Sequence, residues 1–239
     1  MSKFVKKLWN QKAKKWKEHV GELGDSNRKF NSDPILWKWL GKVKGLTILD
    51  AGCGTGYLSI QLLKKGAKKV IGVDFSERMI EQAHGSTKDQ NLSLDFHVDS
   101  CSSLKTIKDK SVDTIVSNYV LMDLPNLSKA MKSFYRVSKV GGKVVIIISH
   151  PCFDQHGGPW KFSYYEEKEL EENWGKFTTP FIFYHRPLST YWKAFKDTGF
   201  TIKEFDEPVV SSPRPEGLDT KTFKQLRMNP YSVAFLLEK

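Results

Sequence analysis

The chain has 239 residues, of which 39% are hydrophobic and 13% aromatic, and its formal charge is +11. This length and composition predict one α/β domain, residues 1–239, with a substantial core, and exclude a disordered or fibrous chain. No apolar run approaches about 18 residues, and the N-terminus lacks a secretory apolar stretch and cleavage site, so we predict a cytoplasmic protein without a membrane span.

The first predicted element is an amphipathic helix at residues 4–20. Its basic residues are Lys3, Lys6, Lys7, Lys12, Lys14, Lys15 and Lys17. Its apolar residues recur at helical spacing and are Phe4, Val5, Leu8, Trp9, Trp16 and Val20. We interpret the basic face as solvated and the apolar stripe as docked on the body of the protein. Contact with nucleic acid or an acidic membrane surface is the alternative.

Residues 46 to 56, LTILDAGCGTG, form an apolar strand that runs into a glycine turn. Gly52, Gly54 and Gly56 let the backbone turn sharply and approach a ligand closely, and they open a helix whose N–H groups face an electron-rich ligand. Asp74 ends the next apolar strand, where a carboxylate can accept hydrogen bonds from both ribose hydroxyls. Strand, turn, helix, strand and acid together predict a nucleoside-cofactor site.

The other predicted elements alternate between helices and strands. The helices are at 34–41, 57–65 and from Glu77 onward with Ser76 as its cap, and the strands are at 46–50, 69–73, 92–98, 112–117 and 143–149. This alternation is typical of a doubly wound parallel sheet, which binds ligands at the carboxyl ends of its strands.

The Gly-x-Gly-x-Gly spacing with Asp50 just before it resembles motif I of the class I S-adenosylmethionine-dependent methyltransferases, in particular the small-molecule, type 11-like members. Dinucleotide enzymes usually carry Gly-x-Gly-x-x-Gly instead. The resemblance covers about residues 35–239, through HVDSCSSL, SNYVLMDL after VDTIV, KVGGKVVIIISHPCF, TIKEFDEP and YSVAFLLEK. It implies a Rossmann-like, seven-stranded, mostly parallel sheet with an antiparallel C-terminal strand. It also implies S-adenosylmethionine as cofactor and S-adenosylhomocysteine as product.

The resemblance further implies a set of cofactor contacts, in which Asp74 binds the ribose and Asp99-Ser100 the adenine edge. The predicted cofactor-binding residues are Asp50, Gly52, Cys53, Gly54, Gly56, Tyr57, Asp74, Phe75, Ser76, Met79, Asp99, Ser100, Asn118, Tyr119 and Arg28. N-terminal segments of similar enzymes fold over the cofactor as a lid, here residues 1–41. Arg28 would then pair with the methionine carboxylate, and an exposed loop arginine is the alternative.

Residues 151–187 interrupt the alternation and are too long and too aromatic for a plain connector. In similar enzymes this insertion covers the acceptor pocket. The aromatic residues that could form its apolar walls are Trp160, Phe162, Tyr164, Tyr165, Trp174, Phe177, Phe181 and Phe183. We predict Trp160, Tyr164, Tyr165 and Arg186 as substrate contacts. The alternative is a small separate core beneath the insertion, which would contain at least half of the eight aromatic residues.

Methyl transfer needs a nucleophile held near the methyl carbon, a water-poor crevice and often a base. His150, at the end of strand five, and His185, beside Arg186, are the predicted catalytic residues, because a histidine titrates near neutral pH. Structural polar roles for both are the alternative. The motif SNYV differs from the N-P-P-Y motif of nucleobase amino methyltransferases, which disfavours base N-methylation.

The predicted function is therefore methyl transfer to a small-molecule acceptor, first of all at oxygen, with nitrogen and carbon open. The alternatives are an RNA methyltransferase, suggested by the basic charge, and a catalytically silent cofactor-binding module. Cys53, Cys101 and Cys152 lack C-x-x-C spacing, and no acidic set is suited to magnesium, so we predict no metal.

Overall fold

The computed structural model describes residues 3–87, 94–153 and 160–239. Its α-helices and strands in chain order are α1 (Lys3–Val20), α2 (Asp33–Leu40), β1 (Thr47–Ala51), α3 (Tyr57–Lys64), β2 (Lys69–Asp74), α4 (Glu77–Gly85), β3 (Leu94–Val98), β4 (Val112–Asn118), α5 (Leu127–Val137), β5 (Ser138–Ser149), β6 (Lys168–Glu172), β7 (Phe181–His185), α6 (Leu188–Thr198), β8 (Thr201–Asp206), α7 (Thr220–Met228) and β9 (Ser232–Glu238). A π-helix, Arg28–Ser32, precedes α2, and a 3₁₀ helix, Leu121–Asp123, follows β4.

A seven-stranded sheet in the order β3-β2-β1-β4-β5-β9-β8 forms the centre of the molecule. The strands from β3 to β5 are parallel to their neighbours, and β9 is antiparallel to both β5 and β8. Residues 144–148 of β5 are fully buried, because helices cover both faces of the sheet and a strand there needs a continuous apolar run. The predicted Rossmann-like methyltransferase sheet is confirmed. Its strand order reverses between β1 and β4, where such sheets open a crevice.

The predicted helix and strand boundaries agree with the structure to within a few residues, with one exception. Strand β5 begins at Ser138 rather than at 143, since Ser138 pairs with Val112 before the register shifts and Lys143 pairs with Thr114. The cap of α4 is as predicted, because the Ser76 hydroxyl accepts a hydrogen bond from the Met79 N–H at 3.1 Å. Residues 92 and 93 of the predicted third strand lie outside the described residues.

Helix α1 docks on the protein through its apolar side, as predicted. Val5 and Leu8 pack with Ile182 of β7, and Trp16 packs in a cluster with Phe181. Phe4 was predicted to belong to this stripe, but it lies at the free end of the helix and is 58% exposed. We observe no helix among the described residues that is long and apolar enough to cross a membrane.

The prediction that the lysines of α1 form a uniformly solvated face is wrong at Lys12. This side chain is buried, and its ammonium group donates a hydrogen bond to the Pro180 carbonyl and lies 4.7 Å from the Phe181 ring centroid. Burial lowers its pKa to about 8, partly opposed by the charge of Asp123. Lys12 therefore ties α1 to the 151–187 insertion.

The insertion contains an antiparallel pair of strands, β6 and β7, which form a separate small sheet.

The side chain of Asn31 links the N-terminal region to the C-terminal part of the chain. Its amide donates to the Pro208 carbonyl at 2.8 Å and its oxygen accepts from the Ser232 hydroxyl at 2.5 Å. All of Asn31 is buried, so these bonds lie inside the fold.

Candidate active site

The glycine turn after β1 has the geometry that only glycine adopts easily. Gly52 has φ +82° and Gly54 has φ +54°, and the N–H groups of Gly52 and Cys53 both donate to the Val73 carbonyl, at 2.8 and 2.9 Å. A Cβ at Gly52 would collide with the Val120 side chain. At Gly54 it would lie 3.6 Å from Trp16 Nε1, so this part of the turn faces α1.

The Asp74 carboxylate fastens the turn to the end of β2. One of its oxygens accepts from the Gly54 N–H at 3.1 Å, and the other accepts from the Ser76 N–H at 2.9 Å. Burial raises the pKa of Asp74 to about 6, although these hydrogen bonds oppose the shift. A carboxylate has about four acceptor positions, so Asp74 can still accept from a ligand.

Two more buried acids, Asp50 and Asp33, lie near Asp74, since Asp50 interacts with both Asp74 and Asp33 through charge. The Asp50 carboxylate accepts from the Ser59 hydroxyl at 2.6 Å, and burial raises its pKa to about 7. The Asp33 carboxylate accepts from the Tyr57 hydroxyl at 3.1 Å, and burial raises its pKa to about 6. Burial makes the ionised form of these three acids costly, and a cationic ligand beside them would favour that form.

Asn118, the last residue of β4, supplies an unpaired acceptor at this site. Its amide nitrogen donates to Asp33 at 3.2 Å and to the Tyr57 hydroxyl at 3.0 Å. Its Oδ1 is buried and has no hydrogen-bond partner in the part of the chain that the structure describes. Because an unpaired buried acceptor costs free energy, this atom is suited to a donor from a ligand, such as an ammonium group.

A cavity of about 70 Å³ lies on the glycine turn. The predicted cofactor-binding residues that line it are Arg28, Asp50, Gly52, Cys53, Gly54, Tyr57, Asp74, Phe75, Met79, Asn118 and Tyr119. Those that do not are Gly56, Ser76, Asp99 and Ser100. The Asp99 carboxylate instead accepts from the Ser100 N–H at 2.7 Å and from the Thr106 N–H and hydroxyl, both at 2.8 Å, so it stabilises its own loop.

Arg28 is buried at the edge of this cavity, so the alternative of an exposed loop arginine is wrong. Its guanidinium carbon lies 5.1 Å from the Trp16 ring centroid and 5.3 Å from that of Tyr119. It forms an ion pair with Asp25. Tyr119 has φ +58°, an uncommon conformation for a non-glycine residue, and its hydroxyl accepts from the Asn27 amide at 2.8 Å.

A second cavity, of about 1090 Å³, lies beside the first and is walled partly by the insertion. Of the eight aromatic residues predicted as candidate walls, the four that line it are Trp160, Trp174, Phe181 and Phe183, and Phe153 and Tyr184 of the insertion also line it. Tyr164 and Tyr165 were predicted substrate contacts, but neither lines it. The Tyr164 hydroxyl accepts from the Leu188 N–H at 2.8 Å, and Tyr165 is 82% exposed. Residues 154–159 of the insertion lie outside the described residues.

The two predicted catalytic histidines both line the large cavity and are buried. The Nδ1 atom of His150 accepts from the Cys152 N–H at 3.2 Å, and its Nε2 lies 2.6 Å from Glu207 Oε1. Nδ1 is therefore unprotonated and Nε2 carries the proton. His185 Nε2 lies 2.9 Å from the Tyr164 carbonyl oxygen, whereas its Nδ1 is buried without a partner among the described residues.

The two cavities share a boundary, and the residues that line both are Trp9, Trp16, Arg28, Tyr119 and Asp123. The sequence reasoning missed Trp9, Trp16 and Asp123 as site residues. Asp123 lies within the segment SNYVLMDL, whose acid was a usable signal because it follows the end of a sheet strand directly. The tryptophans were assigned to a docking stripe, and they do dock, but their rings also reach the cavities.

Comparison with known proteins identifies the family. A family model described as a methyltransferase domain matches residues 42–179, which is more than half of the chain. The chain belongs to this methyltransferase family. The resemblance to class I S-adenosylmethionine-dependent methyltransferases, and with it the enzyme class and the cofactor, is thereby confirmed.

The chain is similar to several individual proteins. An uncharacterized protein of Haemophilus influenzae is 28% identical over 197 residues, 74% of this chain and 76% of that protein. A demethylmenaquinone methyltransferase of Lactococcus lactis is 37% identical over 118 residues, 48% of this chain and 46% of that enzyme, so the chain spans less than half of its length. The crystal structure of an S-adenosylmethionine-dependent methyltransferase from Mesorhizobium loti has the same fold, with a TM-score of 0.69 at 19% identity over 86% of this chain and 96% of that one.

Proposed function

We propose that this methyltransferase transfers the methyl group of S-adenosylmethionine to a small molecule held in the large cavity, and that oxygen is the first candidate for the acceptor atom. The observation that carries the proposal is the boundary shared by the two cavities. A cofactor on the glycine turn and an acceptor in the aromatic cavity would meet there. Oxygen is favoured because His185 Nδ1, which has no partner among the described residues, is suited to accept a hydrogen bond from a hydroxyl group.

The residues of the glycine-turn cavity suit the parts of this cofactor. We assign the ribose hydroxyls to Asp74, the ammonium group to the unpaired Oδ1 of Asn118, and the carboxylate to Arg28. Bound S-adenosylmethionine supplies an activated sulfonium methyl, so the protein has mainly to hold both ligands and exclude water. The described residues include no group of side chains arranged to bind a metal ion.

We further propose that residues 1–41 act as a movable lid within one domain. The cavity of about 70 Å³ is far smaller than the roughly 300 to 1,000 Å³ of typical ligand sites. Trp16 lies against Gly54, and Lys12 joins α1 to the insertion. Admission of the cofactor would therefore move Trp16 and α1 outward.

Replacement of Asp74 tests the cofactor assignment. Asp74→Ala should weaken binding of S-adenosylhomocysteine by about 1.5 to 3 kcal/mol, the range for hydrogen bonds to a charged group. The measurement is isothermal titration calorimetry, with Asp197→Ala as the control, because Asp197 is exposed on α6 and lines neither cavity. Unchanged affinity in Asp74→Ala would contradict the ribose assignment. Heat on titration with NAD would move the protein to another cofactor class.

We propose that His150 positions the acceptor rather than removing its proton. Its Nδ1 already accepts from Cys152 and its Nε2–H faces Glu207, so a base role would require one of these contacts to break. A base is worth about 10² to 10⁴ in rate, whereas a positioning residue is worth less. A pH profile of turnover whose shape survives in His150→Ala would agree with the positioning role.

The acceptor cavity is tested by screening small molecules for thermal stabilisation in the presence of S-adenosylhomocysteine. Each hit is then tested as a methyl acceptor. For Trp160→Ala, the concentration of a hit that gives the same stabilisation and turnover should rise at least about tenfold, because an aromatic wall of the cavity is lost. The affinity for the cofactor should stay within a few-fold. Tyr165→Ala is the matched control, since Tyr165 is exposed and outside the cavity. Equal effects of both variants would contradict the assignment of this cavity.

Binding and methyl-transfer assays on the same purified protein distinguish a small-molecule acceptor from an RNA acceptor. The walled cavity favours a small molecule, although Lys7, Lys14 and Lys15 of α1 are exposed. Retention of RNA that falls steeply with salt, together with methyl transfer to RNA, would favour the nucleic-acid alternative. Cofactor binding without transfer to any acceptor would favour a catalytically silent module.

A further inference from the structure

The carboxylate of Asp123 lies at the boundary between the two cavities. Among the described residues that line both cavities, Asp123 is the only acid. It ends the 3₁₀ helix that follows β4, so it lies beyond the carboxyl end of a central strand. Its carboxylate interacts with Asp74, Arg28 and Lys12 through charge, and no hydrogen bond from a described residue ends on it.

A buried arginine holds Asp123 in this position. Arg186 Nη2 donates to the Leu124 carbonyl at 2.6 Å, and Nη1 makes a longer bond, 3.5 Å, to the Leu121 carbonyl. These two carbonyls flank Asp123 in the chain. Arg186, which was predicted to contact substrate, thus holds the 3₁₀ helix in place. The backbone on either side holds Asp123 in place, so its carboxylate is available to a ligand in the two cavities.

The surroundings of Asp123 make its charge responsive to a ligand. The titratable and charged groups around it are Lys12 on α1, Arg28 on the π-helix, Asp74 at the end of β2, Tyr184 on β7, Arg186 just after β7, and Tyr191 on α6. Burial raises its pKa to about 8, Asp74 adds to the shift, and Arg28 and Lys12 oppose it. A cation placed beside this carboxylate would favour its ionised form.

We propose that Asp123 is the counter-ion of the sulfonium group of the cofactor, at the point where the methyl group passes from one cavity to the other. This inference rests on the proposed function, because it needs the cofactor on the glycine turn. S-adenosylmethionine carries a sulfonium charge that S-adenosylhomocysteine lacks. An ionised Asp123 therefore attracts the substrate form and not the product form, which favours exchange of product for substrate.

The test is calorimetric titration of the full chain with S-adenosylmethionine and with S-adenosylhomocysteine between pH 6 and 9. In the unaltered protein the preference for S-adenosylmethionine should rise with pH, as Asp123 ionises. Asp123→Asn should lower this preference about tenfold at the upper end of the range, remove most of its pH dependence, and leave the affinity for S-adenosylhomocysteine within about twofold. Asp123→Glu, which keeps the charge, should retain most of the preference.

Asp197→Asn is the control, because it removes an equal charge from an exposed position on α6. An unchanged preference in Asp123→Asn would overturn the proposal. An equal loss of affinity for both compounds would also overturn it, since that result would assign Asp123 a structural role. If the unaltered protein binds neither compound, the proposed function itself fails, and this outcome is distinct from the other two.

Discussion

Gly54→Val should abolish cofactor binding, with a loss of affinity of at least about 100-fold, while the protein remains folded. The turn at Gly54 faces the space beside Trp16, where we expect the methionine part of the cofactor to pass close to the backbone. A branched side chain would fill that space. The fold should survive, because a Cβ there meets only the Trp16 indole, at 3.6 Å, and the left-handed φ costs about 1 to 2 kcal/mol.

Calorimetry with S-adenosylhomocysteine measures the loss, and circular dichroism with thermal unfolding measures the fold. Gly54→Ala should give an intermediate loss, because a single Cβ intrudes less. Gly175→Val is the matched control, since a Cβ at Gly175 has no atom within 4 Å and its backbone is not left-handed. A folded Gly54→Val protein that binds normally would show that the cofactor does not lie on this turn.

Asp50→Asn should make the ligand-free protein more stable above neutral pH and at the same time weaken cofactor binding. Burial raises the pKa of Asp50 from 3.8 to about 7, so the folded state resists ionisation of this carboxyl group. The stabilising contribution of the neutral acid is complete below pH 3.8 and is lost as pH rises through about 7. Asparagine carries no charge and can still accept from Ser59.

The free energy of unfolding of Asp50→Asn should therefore exceed that of the unaltered protein by about 2 to 4 kcal/mol at pH 8, and the difference should vanish near pH 3 to 4. Urea unfolding at several pH values measures it. Binding of the cationic S-adenosylmethionine should weaken in the same variant, because one of the three buried carboxylates is lost. A variant that is less stable at pH 8 would contradict the claim that the charge of Asp50 is costly in the empty site.

The parts of the site that are continuous in sequence were predictable. Gly52, Gly54 and Asp74 belong to one strand-turn-helix-strand unit, whose local signals agree with one another and fix the sheet edge where ligands bind. The doubly wound parallel sheet followed from the alternation of elements, and its antiparallel C-terminal strand followed from the family resemblance. A single unit of this kind carries enough information for fold and cofactor class.

The parts that depend on contacts between distant segments were not predictable. Lys12 was assigned to a solvated face because its partner, the Pro180 carbonyl, is 168 residues away. The position of Asp123 beyond the end of β4 was a usable signal, but only the meeting of the two cavities shows that this acid belongs to the site.

The hydrogen bonds of Asn31 bear on how the acceptor specificity of such enzymes can be exchanged. This one buried amide binds Pro208 and Ser232, so the N-terminal segment shares its interior polar contacts with the last strands. A graft of this segment that lacks an amide at this position would leave both partners unsatisfied. Such a chimera should lose stability, whereas one whose two ends come from the same parent keeps both bonds.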